Sequence, residues 1–296
     1  MGLSTLTHEV EDGILTVTLR RPEKLNGFTV EMADELERTF VEVNDRDDVR
    51  AVIVTGSGKA FSVGMDLSVP GNAFGLDESL QPTLEDMADL DDPGLQKVRD
   101  TGGRVTLAIH DCRKPVIAAI NGTAVGIGAT MTLAMDARLA SDVARVGFVF
   151  GRIGVTPEAA STWFLPRIVG MPTALDLVYS ADILDAEEAK ACGLVRSVHA
   201  PDELLGAARA LADRWTRGKS AVGTAMARQM MYRNSAQPHP ANAHRVDSLS
   251  MFYMSLGDGA EGVAAFREKR APEFGSSAAK GMPPFYEDWV GASHQG

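Results

Sequence analysis

The sequence predicts an α/β fold closed by a helical C-terminal region, and three observations carry that prediction. Short apolar runs at Ile14–Leu19, Ala51–Thr55 and Val116–Ile120 read as strands and are separated by segments with helical spacing. From Pro201 the pattern is almost purely helical through Arg233, and again from Asp247 to Lys269. A chain of 296 residues, 45% hydrophobic and 23% charged, is long and apolar enough for one large domain with an appendage. These features divide it into a core over 1–200 and a helical region over 201–296.

In chain order, His8–Val10, the turn pair Asp12-Gly13 and Ile14–Leu19 predict a β-hairpin. Thr29 is a good N-cap with Glu31 and Asp34 in the first turns, and Ala33, Leu36, Phe40 and Val43 then repeat on one helical face. Ala51–Thr55 is a short buried strand ended by Gly56-Ser57-Gly58. Residues 67–95, rich in Gly, Pro and acids, predict a long exposed excursion, either a lid over a site or a surface loop. Val116–Ile120 is a continuous apolar strand turned by Asn121-Gly122, and a small-residue helix starts near Gly126 and runs to Met135. Asp185-Ala186-Glu187-Glu188 is a capping box whose helix ends at Gly193. Met226, Met230, Met231, Met251 and Met254 on the tail are expected to pack between helices.

Charge and cysteine content narrow the function. With 29 basic against 40 acidic side chains, the net charge of -11 gives no support to nucleic-acid binding, although a local patch can still hold an anion. Cys112 and Cys192 allow at most one disulfide and no cysteine metal cluster, and read as ordinary thiols of a reducing compartment. No apolar run reaches the ~18 residues of a membrane span, and the amino terminus lacks a signal core. The expectation is a cytoplasmic enzyme without a membrane partner. His8, His110, His199, His239, His244 and His294 show no metal-ligand spacing, so no metal site is expected, and neither Ser62 nor Ser161 has a histidine partner recognisable from sequence.

Gly126-Ile127-Gly128 follows a strand and opens a helix, but Met131 stands where a dinucleotide fingerprint needs its third glycine. Two readings remain. The glycines permit tight packing of strand against helix, or they bring a ligand oxygen close to the unpaired N–H groups of a helix start. A second donor from Ser62-Val63-Gly64-Met65 would complete a two-point oxyanion hole.

Three segments together resemble the crotonase, or enoyl-CoA hydratase/isomerase, superfamily. They are Arg21-Pro22-Glu23-Lys24-Leu25-Asn26-Gly27-Phe28, Ala60-Phe61-Ser62-Val63-Gly64-Met65-Asp66-Leu67, and Lys114–Gly122 with Ala124-Val125-Gly126-Ile127-Gly128. With Pro166–Gly170 the resemblance covers roughly residues 8–275. It implies a crotonase-like spiral of ββα units, a C-terminal region that forms homotrimers or hexamers built as dimers of trimers, and an acyl-CoA thioester substrate. No separate cofactor is implied, because coenzyme A is part of that substrate. The implied oxyanion donors are the main-chain N–H groups of Met65 and Ile127. Substrate and CoA contacts are implied at Lys24, Leu25, Ala60, Ser62, Asp66, Leu67 and Gly126, and at Lys269, which reads alternatively as an exposed helix end.

The resemblance also directs attention to the carboxylates. Hydratases of the family hold water between two glutamates, and the matching positions here are Thr130 and Phe150, neither of which is a base at neutral pH. Glu158 instead resembles the single glutamate of Δ3,Δ2-enoyl-CoA isomerases. One base suffices for a 1,3 proton shift, so the expected activity is conversion of a 3-enoyl-CoA to a 2-enoyl-CoA. The alternatives are hydration of a trans-2-enoyl-CoA or acyl-CoA binding with little turnover. Without the resemblance, Glu158 reads first as a first-turn acid on the helix after Pro157.

Overall fold

The structure is a computed structural model that describes residues 2–68, 70–90 and 92–292; His294 lies outside them. Strands β1 (Leu6–Glu11) and β2 (Ile14–Leu19) pair antiparallel from Leu6↔Leu19 to Glu11↔Ile14. Asp12 and Gly13 turn the hairpin with φ of 51° and 75°, which matches the right-handed twist of the strands. Helix α1 (Val30–Glu42) starts where Thr29 accepts from the Met32 N–H, and it buries Met32, Ala33, Leu36 and Phe40.

Three times the chain then passes from one sheet to another through a tight turn. The pairs are β3 (Ala51–Gly56) with β4 (Ala60–Ser62), β5 (Val116–Ile120) with β6 (Thr123–Val125), and β7 (Ala137–Ser141) with β8 (Arg145–Gly147). Helix α2 (Thr101–Asp111) precedes β5. The short α3 (Ile127–Thr130), continued by a 3-10 turn over Met131–Ala134, precedes β7. After β8 come α4 (Ser161–Val169), α5 (Met171–Ser180), β9 (Ile183–Asp185), α6 (Ala186–Ala191) and β10 (Ser197–His199). The larger sheet runs β1-β2-β3-β5-β7-β10 and is parallel from β2 onward; the smaller runs β4-β6-β8-β9 with β9 antiparallel.

The apolar runs of β3 and β5 are continuous because both faces of the larger sheet are covered. Val52, Val54, Val116, Ala118 and Ile120 face the main core, and Ile53, Ala51, Ile117 and Ala119 face Leu204, Ala208, Leu211 and Ala212 of α7 (Leu204–Thr216). Helices α8 (Ala221–Asn234), α9 (Pro240–Leu256), α10 (Asp258–Glu268) and α11 (Tyr286–Ala292) complete the C-terminal region. Arg228 of α8 is buried against Asp136, at 2.9 Å, and donates to the carbonyls of Ile109 and His110 at the end of α2. Asp136 also accepts from Tyr232 Oη and the Val116 N–H, so it clasps α8 to the sheet.

Several expectations change in three dimensions. Met226 is buried, and Met230 and Met254 pack beside it, but Met231 and Met251 are 76% and 70% exposed. The helix expected from Gly126 to Met135 tightens into its 3-10 form after Thr130. Cys112 and Cys192 sit at helix ends and are both free. His8 bonds the Thr39 hydroxyl, and His110 packs among Trp163, Phe164 and Tyr232. No helix among the described residues is long and apolar enough to cross a membrane.

The capping box forms as expected: Asp185 accepts from the Glu188 N–H at 2.9 Å, and Glu188 accepts from the Asp185 N–H at 2.8 Å. Asp185→Ala is expected to cost about 1 kcal/mol of unfolding free energy, measurable by urea denaturation, with no change in the site.

Candidate active site

A cavity of about 310 Å³ opens between the two sheets' turns, α2 and the segment before α4. Its wall includes Met65, Gly126, Ile127, Asp100 and Glu158, with Val63, Leu67, Phe74, Leu76, Phe150, Ile153 and Val155 making it mostly apolar. Of the 67–95 excursion, Leu67, Phe74 and Leu76 cover this cavity, and Thr101 Oγ1 donates to the Phe74 carbonyl at 3.0 Å. Much of the remainder is exposed surface with two 3-10 turns.

Met65 and Ile127, the two expected main-chain donors, both line the cavity. Phe28 and Met65 form a parallel bridge in which the Phe28 N–H donates to the Gly64 carbonyl and the Asp66 N–H to the Phe28 carbonyl, both at 2.8 Å. Alternation along an extended strand therefore turns the Met65 N–H away from Phe28. Ile127 is the first residue of α3, where an N–H has no partner within the helix, while the preceding Gly126 N–H is used by the Gly147 carbonyl. The turns that carry these donors touch. A Cβ built on Gly126 would lie 3.7 Å from Gly64 Cα, and both glycines have positive φ, 53° and 91°. Asn26 orders the approach to this turn, because its buried side-chain amide donates to the carbonyls of Ser57 and Ala60.

Glu158 is not in the first turn of α4. Ala159 and Ala160 follow it in left-handed conformations, φ 57° and 51°, and the helix starts only at Ser161. Its side chain instead turns inward, where Oε1 accepts from Thr130 Oγ1 at 2.5 Å. Its Oε2 lies so close to α2 that a Cβ at Gly102 would sit 2.1 Å away, so only glycine admits the carboxyl here. Burial of the carboxyl is the main force raising its pKa, to about 8, and the negative charge of Asp100 adds to it; the Thr130 hydroxyl pulls the other way. In the free protein at neutral pH, Glu158 mostly carries its proton.

Asp100 escaped the sequence reading. It is the N-cap of α2, its Oδ1 accepting from the Gly102 N–H at 2.9 Å, while its Oδ2 accepts from the Ala159 N–H at 2.5 Å. Its carboxylate is also hydrogen-bonded to the Glu158 carboxyl. An aspartate before a helical stretch signals a cap, and nothing local reveals a second partner far along the chain. Thr130 is buried beneath Glu158, and Phe150 forms part of the wall with an apolar ring.

Other predicted contacts lie off the cavity. Lys24 and Leu25 are exposed in the turn after Pro22, and Lys269 is exposed at the end of α10. Ala60 and Ser62 are 2% and 0% exposed in β4 and do not line the cavity. Asp66 is taken up by Ser68 and Arg21, whose hydrogen bonds hold its carboxyl at about 2, and it braces the turn after Met65. No group of three His, Cys, Asp or Glu side chains among the described residues is arranged to hold a metal.

Residues 9–277 match the family model described as enoyl-CoA hydratase/isomerase. The chain is 36% identical over 266 residues to enoyl-CoA hydratase AFT3-1 of Alternaria alternata, covering 89% of this chain and 83% of that one. It is 33% identical to the 1,2-epoxyphenylacetyl-CoA isomerase of Escherichia coli, covering 91% of this chain and 97% of that enzyme. Among solved structures, the enoyl-CoA hydratase of Mycobacterium smegmatis superposes with a TM-score of 0.77 at 28% identity, covering 92% of this chain and 99% of the other. The spiral of paired strands and the long match in sequence agree: the chain belongs to the enoyl-CoA hydratase/isomerase family and is an enzyme of that type on the crotonase fold.

Proposed function

We propose that this enzyme moves a double bond in an acyl-CoA thioester, converting a 3-enoyl-CoA to a 2-enoyl-CoA. Glu158 takes a proton from C2, charge passes to the thioester oxygen as a dienolate, and the proton returns to C4. Met65 and Ile127 N–H groups receive the developing oxyanion, each contributing about 2.7–4 kcal/mol by the precedent of other oxyanion holes. The observation that carries the reading is a proton-holding carboxyl in an apolar cavity that Met65 and Ile127 also line. No redox or metal step is needed, because the product is an isomer of the substrate and coenzyme A stays attached.

Water addition is the second reading, favoured by the presence of a second carboxylate at Asp100. Against it, the two positions that hold water in the family's hydratases are Thr130 and Phe150, neither of them a base, and Phe150 adds an apolar ring to the wall. The proposal extends to assembly as a homotrimer or dimer of trimers. Exposed Met251, Phe252, Leu256, Val263 and Phe266 on α9 and α10 supply apolar surface for it, and Lys269 would then serve a CoA phosphate.

Proton NMR in D2O with 3-hexenoyl-CoA and with crotonyl-CoA, in separate tubes, tests the reading. Migration of the first double bond without hydration of the second is expected; hydration without migration would overturn it. The base must be ionised to act, so kcat/KM for the 3-enoyl ester is expected to rise about tenfold per pH unit below about 8 and then level. A profile flat from pH 6 to 9 would remove Glu158 from the role.

A further inference from the structure

We propose that Asp100 is the positioning residue of Glu158, fixing the turn that aims its carboxyl into the cavity and keeping the pair's proton on Glu158. The inference rests on the reading of Glu158 as the acid/base. It goes further by assigning its control to a residue of another element.

One carboxylate makes three kinds of contact. Oδ1 caps α2 at the Gly102 N–H, Oδ2 holds the Ala159 N–H, and the same group bonds the Glu158 carboxyl. Ala159 and Ala160 are non-glycine residues in left-handed backbone, a strained arrangement that persists only where its surroundings impose it. Asp100 supplies one such restraint at the residue next to Glu158. Without it, the chain would be free to relax the strain and swing Glu158 away from Thr130 and α3.

The placement of the proton follows from solvation. Asp100 is exposed and accepts two main-chain N–H bonds, whereas the Glu158 carboxyl is enclosed. Of two bonded carboxyls, the enclosed one keeps the proton. The other groups against Glu158 are uncharged: Thr130 and Ile127 from α3, Gly102 from α2 and Ala159 beside it. Asp100 is the charge acting on it among the described residues.

The test is carboxyl-carbon NMR of protein labelled at glutamate side chains, with the Glu158 signal identified by its loss in Glu158→Gln. It is run on the unmutated protein, Asp100→Asn and Asp100→Ser, both replacements being good helix caps. The Glu158 midpoint, about 8 in the unmutated protein, is expected to fall by about half a unit to one unit in either variant. The variant-to-parent ratio of kcat/KM is then expected to be about three- to tenfold larger at pH 6 than at pH 9.5. Asp100→Ser, unable to reach the Ala159 N–H, is expected to lose more kcat than Asp100→Asn at equal KM. An unmoved midpoint in a variant that melts normally would overturn the proposal and leave Asp100 as a helix cap. If the variants fail to fold, aspartate labelling of the parent decides: the Asp100 carbon must shift as Glu158 loses its proton, and an unresponsive Asp100 overturns the pairing. A moved midpoint with an unmoved turnover profile would uphold the pairing and remove Glu158 as the base.

Discussion

Glu158→Gln is expected to lose about 10²- to 10⁴-fold in kcat at pH 8 while acyl-CoA binding and the fold survive. The amide is a close copy of the protonated carboxyl. Its Nε2 donates to Asp100, its Oε1 accepts from Thr130 Oγ1, and the contact with Gly102 needs no extra volume. What it lacks is the ability to take a proton from C2. The same change is expected to stabilise the protein at alkaline pH. In the folded state Glu158 binds its proton up to about 8, and in the unfolded chain only up to its ordinary value of 4.5, so the folded state holds more protons between these limits. Stability contributed by this group therefore falls as pH rises through that window. Above about 8 the ionised, enclosed carboxylate costs about 3–5 kcal/mol, a cost that the amide avoids. Denaturation at pH 5 and pH 8.5 checks this: near equality at the lower pH and a clear advantage for the variant at the higher. An advantage independent of pH would show that the carboxyl is not held in the proton-bound state.

Gly128→Ala is expected to cost about 1–3 kcal/mol of stability and about 10²-fold in kcat. The first turn of α3 presses against β4 so closely that a Cβ at Gly128 would lie 2.2 Å from the Ser62 carbonyl oxygen and 2.9 Å from its carbon. Both are backbone atoms of a paired strand, so the methyl group can be admitted only by moving α3, which carries the Ile127 N–H. Gly151→Ala is the control, because a Cβ there meets nothing within 4 Å and the residue is exposed. Melting temperature and turnover of both variants, measured together, separate the steric effect from a general loss of glycine. Equal turnover in Gly128→Ala and Gly151→Ala would mean that the Ile127 donor takes no part in the reaction.

What the sequence determined by itself is the part governed by neighbours along the chain. Asp12-Gly13 turned the hairpin, Thr29 capped α1, Asp185 and Glu188 closed their box, and the apolar run Val116–Ile120 became a strand buried on both faces. Turn geometry, capping and periodicity are decided within a few residues, so they are legible before folding. The ordered glycine segments likewise pointed to the family. Tertiary structure decided the rest. It placed Glu158 before its helix rather than on it, because the left-handed Ala159 and Ala160 separate the two. It exposed Met231 and Met251, whose spacing alone could not tell an inner face from an outer one. Above all it brought Asp100 to the Ala159 N–H across 59 residues of sequence, beside the carboxyl that it bonds. Two carboxyls couple only when the fold brings them close, and their separation and their unequal enclosure are properties of the folded cavity rather than of either residue's neighbours in the chain.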